Sequence, residues 1–242
     1  NALGDRTTPS VVSYDWETDD VYVGTPALNR AVSHPSDTIQ SIKRHMGSDE
    51  TFALGPDTHR PEAISALVLK KLVRDATEAL QRPVSEAVIT VPAYFTERER
   101  KATKKAGEIA GLTVERIITE PTAACLAYGL GAGTAETVFV YDLGGGTFDC
   151  SVVEISDGMV DVRGVDGNTD LGGDDYDGLL VDWLRETIAE AHGSRPALDD
   201  PEIESRLFDA AKAAKHDLSA RESTTVSLPF LELEDGETVT VE

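Results

Sequence analysis

Apolar and polar positions along the chain follow two periods. Val11 to Tyr14 and Val21 to Val23 read as short strands with polar turn residues between them. A loop-rich stretch holding Gly47, Gly55 and Pro56 follows. Pro61 then opens a helix whose apolar stripe is Ile64, Leu67, Val68, Leu72, Ala76 and Ala79. Ala87 to Val91 is a strand stopped by Pro92. Thr96 and Glu99 form a capping-box pattern for a helix ending near Gly111. Glu115 to Ile118 predicts a short strand, and Pro121 starts a short helix.

In the second half, Val138 to Asp142 predicts a buried strand and Phe148 to Ile155 its hairpin partner. After Gly172-Gly173 a helix carries Tyr176, Leu179, Leu180, Trp183, Leu184, Thr187 and Ile188 at the helical period. A second helix carries Ile203, Leu207, Ala210, Ala211, Ala214 and Leu218. Thr224 to Leu228 and Val239 to Val241 return to strand. Strands and helices mix in both halves, which predicts α/β or α+β rather than a sandwich or a bundle. The run Gly129-Leu130-Gly131-Ala132-Gly133 marks the boundary between two lobes, residues 1–133 and 134–242.

Composition narrows the classes. The chain has 242 residues, 40% of them hydrophobic, enough for a substantial core. No stretch approaches the about 18 uncharged apolar residues of a membrane span. With 44 Asp+Glu against 22 Lys+Arg, the net charge of -22 argues against a nucleic-acid partner, which needs a basic face. The acid excess with few lysines predicts adaptation to high salt, where screening makes dense like charge tolerable. Cys125 and Cys150 are too few for a disulfide scaffold and read as buried free thiols. His34, His45, His59 and His192 lack metal-ligand spacing.

The strongest local chemistry is Asp142-Leu143-Gly144-Gly145-Gly146-Thr147-Phe148-Asp149. Three glycines between two strands permit a tight turn whose amides approach phosphate oxygens with no β-carbon in the way. Thr147 adds a hydroxyl. Asp142 and Asp149 suit Mg²⁺ held through water. The plain alternative is a glycine hairpin with solvated acids. The pattern is neither the P-loop, which needs Gly-Lys-Ser/Thr, nor the dinucleotide fingerprint, which needs a helix after the glycines. Gly172-Gly173, directly before a helix, offers a second set of amides. Glu120, in Glu120-Pro121-Thr122-Ala123-Ala124, can orient a water or merely cap a helix. Lys43 can neutralise a terminal phosphate or sit on the surface.

The segments Gly4 to Ser10, Ala87 to Phe95, Glu120 to Ala124, Asp142 to Asp149 and Leu171-Gly172-Gly173, in this order, closely resemble the nucleotide-binding domain of the Hsp70 chaperone family, the DnaK group of prokaryotes. The resemblance covers nearly the whole chain. It implies an actin-like ATPase fold, with two lobes around a nucleotide cleft, that binds ATP and Mg²⁺. Under that resemblance Lys43 is the lysine near the γ-phosphate and Glu120 helps to position the attacking water. Asp142 and Asp149 are the acids around Mg²⁺. Thr147 is the γ-phosphate hydroxyl. Gly144, Gly145 and Gly146, with Gly172 and Gly173, bind phosphate. The helix holding Lys212, Lys215, His216 and Ser219 matches the adenosine-contacting helix. Pro92 and Arg100 match positions tied to signalling towards a substrate domain.

The chain also departs from the family pattern. Lys212 stands where the family usually has Glu, Thr119 where Asn is frequent, and Asp174 where Glu is frequent. The span between Lys43 and Ile64 is short, as in archaeal and Gram-positive members. With the acidity, this suggests a haloarchaeal or similar source. The family's opening phosphate hairpin, its later adenine-binding segment and its peptide-binding domain are not in this sequence. The resemblance therefore implies a nucleotide-binding domain truncated at both ends that binds ATP poorly alone. It further implies a cytoplasmic stress-response chaperone with unfolded polypeptide clients, a J-domain cochaperone and a nucleotide-exchange factor as partners. The alternatives are a small-molecule kinase of the same superfamily and a non-catalytic relative.

Overall fold

The structure is a computed structural model that describes residues 1–128, 135–156 and 158–242. The glycine-rich run assigned to the lobe boundary lies outside the described residues. Strand β1 (Val12–Asp15) pairs antiparallel with β2 (Asp20–Val23) on one side. On its other side it pairs with β3 (Thr38–Ile39), which follows α1 (Thr25–Ala31). The apolar pattern does not announce α1, because only the small Ala27 and Ala31 are buried, one turn apart. A 3₁₀ turn, Ile42–His45, leads to the hairpin of β4 (Phe52–Leu54) and β5 (Asp57–His59), so the expected loop is partly strand. Gly55 turns that hairpin at φ +64° beneath the Tyr14 ring, where a side chain has no room.

Helix α2 (Pro61–Leu80) starts at Pro61 as expected. It buries Ile64 and Val68 against Val12, Tyr14, Ile42 and Leu54, and Ala66 is buried as well. Leu72, placed in the core stripe by its spacing, is instead exposed, while Asp75 is buried with Lys71 as its ion-pair partner. Strand β6 (Glu86–Val91) runs parallel to β7 (Thr113–Thr119), with α3 (Glu97–Ile109) as the connection. The capping box forms as predicted: Glu99 N–H donates to the Thr96 side chain and Thr96 N–H to the Glu99 carboxylate. Helix α4 (Glu120–Ala127) leaves β7 with no intervening loop, so Glu120 stands in its first turn.

The second half holds a three-stranded antiparallel sheet of β8 (Glu136–Leu143), β9 (Phe148–Ser156) and β10 (Met159–Asn168). The expected hairpin is present, but β8 is not a buried strand. Val138 and Val140 pack near Cys125, Val153 and Ile155, whereas Phe139 and Tyr141 are each 63% exposed. Successive strand residues face opposite ways, and only one face of this sheet meets α4. Strand β10 alternates only at its start, where Val160 and Val162 join the core of Cys125, Val153 and Ile155, and its exposed, glycine-bearing remainder is held by pairing with β9. Cys125 is buried as expected, but Cys150 is only half-buried and donates to the Asp166 carbonyl.

Helices α5 (Gly173–His192) and α6 (Pro201–Leu218) pack on the hairpin of β11 (Leu228–Glu232) and β12 (Thr238–Val241). Val181, Leu184, Ile188, Ile203, Leu207 and Leu231 form this core. The α5 stripe is rotated from the predicted one. Asp177, Val181, Leu184 and Ile188 face inward, and Tyr176, Leu179 and Trp183 outward. Leu218 is exposed too. The strand expected at Thr224 to Leu228 begins only at Leu228, because β12 offers Leu228 its first partner, Val241. Among the described residues no helix is long and apolar enough to cross a membrane.

Candidate active site

The register of β8 with β9 sets Asp142 opposite Asp149 and Leu143 opposite Phe148, leaving Gly144 to Thr147 as the turn. Gly144 N–H closes it on the Thr147 carbonyl at 2.9 Å. The first turn of α5 docks directly on this loop. Gly173 N–H donates to the Gly144 carbonyl at 2.9 Å, and Asp174 N–H to the Gly145 carbonyl at 2.7 Å. Contact this close needs a glycine at 172, since a Cβ there would come within 2.6 Å of the Gly146 nitrogen and nearer still to the Gly145 oxygen. The two glycine segments singled out in the sequence are thus one structure.

Beside the loop stands a charged group. Lys43 Nζ, from the 3₁₀ turn, lies 3.0 Å from Glu120 Oε1 at the start of α4. Asp142 is exposed, whereas Asp149 is only 6% exposed. Burial pushes the Asp149 carboxyl from 3.8 up to about 6, with Glu120 and Asp142 adding to the rise and Lys43 opposing it. Three carboxylates facing a single lysine leave an excess of negative charge that a cation or a bound Mg²⁺ complex would neutralise. No group of three or more His, Cys, Asp or Glu among the described residues is arranged to ligate a metal directly. Asp142 and Asp149 face each other across the β8–β9 pair at the base of the turn.

Helix α6 brings Lys215 to the loop. Its Nζ donates to the Gly173 carbonyl at 2.6 Å and lies 2.6 Å from Asp177 Oδ1. Asp177 is fully buried; the approach is an ion pair without the alignment of a hydrogen bond. Lys212 reaches Asp174 at 3.9 Å and lies over the Phe208 ring. His216 and Ser219 stay on the exposed end of α6, Ser219 donating back to the Lys215 carbonyl. Lys212, Phe208, Asp174, Ser41, Arg44 and Leu28 line part of a cavity of about 560 Å³, within the range of small-ligand sites.

Two residues here escape a reading of the sequence. Arg44 Nη2 donates to the Gly146 carbonyl at 2.7 Å and pairs with Asp175 Oδ2 at 3.2 Å. Its neighbour Lys43 drew attention as a single cation, and nothing local shows which of two adjacent basic residues faces the glycine turn. The Tyr94 hydroxyl is buried without a well-formed hydrogen bond. Burial pushes its pKa up, and the nearby Thr147 hydroxyl tempers the shift. Pro92 is fully buried, and Arg100 grips the segment after it, donating to the Phe95 carbonyl at 3.0 Å and the Ala93 carbonyl at 3.2 Å.

Comparison with known families decides the class. The family model described as Hsp70 protein matches residues 1–54 and 50–242. The chain belongs to the Hsp70 family. It is 51% identical over its whole length to the chaperone protein DnaK of Halobacterium salinarum, covering 38% of that relative. It is 50% identical to the DnaK proteins of Thermosipho africanus and Thermotoga neapolitana, each over 96% of this chain and covering 38% and 39% of them. The chain thus spans well under half the length of these relatives. Its helices packed on several small sheets agree with the Hsp70 actin-like ATPase fold.

Proposed function

We propose that this chain builds the nucleotide cleft of an Hsp70-type chaperone, with residues 1–133 and 134–242 as its two lobes. The observation that carries this reading is the docking of the α5 N-terminus on the Gly144 to Thr147 turn beside the Lys43, Glu120 and Asp149 group. ATP supplies the phosphoric anhydride to be cleaved, and Mg²⁺ supplies charge neutralisation. The chain's own residues do the rest. The N–H groups of Gly145, Gly146 and Thr147 cradle phosphate, while Gly172 and Gly173 at the start of α5 hold the turn that presents them. Lys43 neutralises its terminal charge, and Asp142 and Asp149 hold Mg²⁺ through water. Glu120, itself held by Lys43, orients the attacking water. Lys212, Lys215, His216 and Ser219 receive the nucleoside side.

In the full-length protein, hydrolysis would time the capture and release of unfolded polypeptides, with a J-domain cochaperone and a nucleotide-exchange factor as partners, in a cytoplasmic stress response. Pro92 and Arg100 would carry the signal between the nucleotide site and the peptide-binding part. The acid excess favours a salt-adapted protein. Single-turnover ATP hydrolysis by the full-length protein tests the proposal. Wild type should turn over, and Lys43→Ala should fall by about 100-fold or more. ATP-dependent phosphorylation of glycerol or a sugar, with no hydrolysis in their absence, would instead mark a small-molecule kinase.

A further inference from the structure

Every carbonyl of the three glycines in the turn is held from outside it. Gly144 O accepts from Gly173 N–H, Gly145 O from Asp174 N–H, and Gly146 O from Arg44 Nη2. In a trans planar peptide the C=O and the following N–H point opposite ways, and the described residues contain no cis peptide. The N–H groups of Gly145, Gly146 and Thr147 therefore face away from α5 and Arg44. Among the described residues none of the three donates a hydrogen bond.

The first two carbonyl contacts both come from α5, within the second half of the chain. The third comes from the Ile42–His45 turn in the first half. Arg44 is itself held, because Asp175 Oδ2 pairs with it while accepting Gly172 N–H at 2.6 Å. The guanidinium lies against the turn where a Cβ on Gly146 would come within 2.8 Å of Arg44 Nε. Lys43, one residue earlier, turns the other way to Glu120.

We propose that Arg44, fixed by Asp175, is a positioning residue. It orients the Gly146–Thr147 peptide so that Thr147 N–H serves as the third phosphate donor, and it does so only while the two halves are closed on each other. This rests on the nucleotide reading above. When the halves part, the peptide loses its one restraint from the first half. The breadth of glycine φ/ψ at 146 then lets it rotate, so phosphate binding and closure favour each other. The Nη2 group is already engaged by Gly146 O and Asp175, so its contribution runs through the peptide it holds.

The test is calorimetric titration of the full-length protein with ATP and, separately, with adenosine. Arg44→Met should weaken ATP binding about tenfold, the scale of one hydrogen bond to a charged group, and change adenosine binding less than about twofold. Asp175→Asn should weaken ATP binding in the same direction. The double variant Arg44→Met/Asp175→Asn should be no worse than Arg44→Met, because both act through one contact. Should Arg44→Met not fold, Arg44→Lys makes the same comparison, since it keeps the charge but is shorter and lacks the planar fork. Equal losses for ATP and adenosine, or additive losses in the double variant, would overturn the role of Arg44 alone. Failure of the wild type to bind ATP would overturn the nucleotide reading and this inference with it.

Discussion

Replacing Asp149 by Asn should make the nucleotide-free protein more stable at neutral and alkaline pH, while impairing its use of ATP. Asp149 is nearly enclosed, and burial, Glu120 and Asp142 together raise its carboxyl from 3.8 to about 6 against the pull of Lys43. A raised acid binds its proton more tightly in the folded state than in the unfolded one. Its contribution is therefore favourable below the unfolded value and is lost as pH climbs through the folded value. A rise from 3.8 to about 6 corresponds to about 3 kcal/mol, an upper bound because the cleft admits screening solvent. Asn has nearly the same shape and no charge to desolvate. Urea unfolding at about pH 4.5 and about pH 8 with a chelator present should show the wild type losing about 1–2 kcal/mol relative to Asp149→Asn between those points, because part of the full effect is already lost at the lower pH. Parallel pH profiles for the two proteins would refute the claim that this carboxylate is electrostatically strained.

Three further outcomes follow from packing and local structure. Gly172→Ala pushes a methyl into the backbone of Gly145 and Gly146; it should cost about 2–4 kcal/mol in thermal unfolding and weaken ATP binding with it. Leu207→Ala, in the fully buried part of the α6 core, should cost about 2–5 kcal/mol by denaturant titration, with turnover at permissive temperature little changed. Thr96→Ala removes the side-chain half of the α3 capping box and should cost about 1 kcal/mol, whereas Thr96→Ser should match the wild type.

Local signals in the sequence determined a good part of this protein. Pro61, the Thr96 and Glu99 pair and the glycines before α5 announce helix starts, because backbone groups at a helix end must find partners within a few residues. The Asp142 to Asp149 turn is legible because a tight strand connection free of β-carbons has few other sequences. Lys43 and Glu120 each carried two readings on their local sequence, and the family pattern chose between them.

Tertiary structure alone decided the rest. Whether Phe139 or Val140 faces inward depends on which face of β8 meets α4. The inward face of α5 was settled by α6 and the β11–β12 hairpin, which left Trp183 outside and buried Asp177 beside Lys215. Strand β10 alternates only as far as Arg163, and its exposed remainder is strand because β9 supplies its hydrogen-bond partners. Arg44 shows the same limit within the site. A local pattern records what a residue does with its near neighbours in sequence, whereas the contact of Arg44 with Gly146 crosses from one half of the chain to the other and exists only once both halves have folded together.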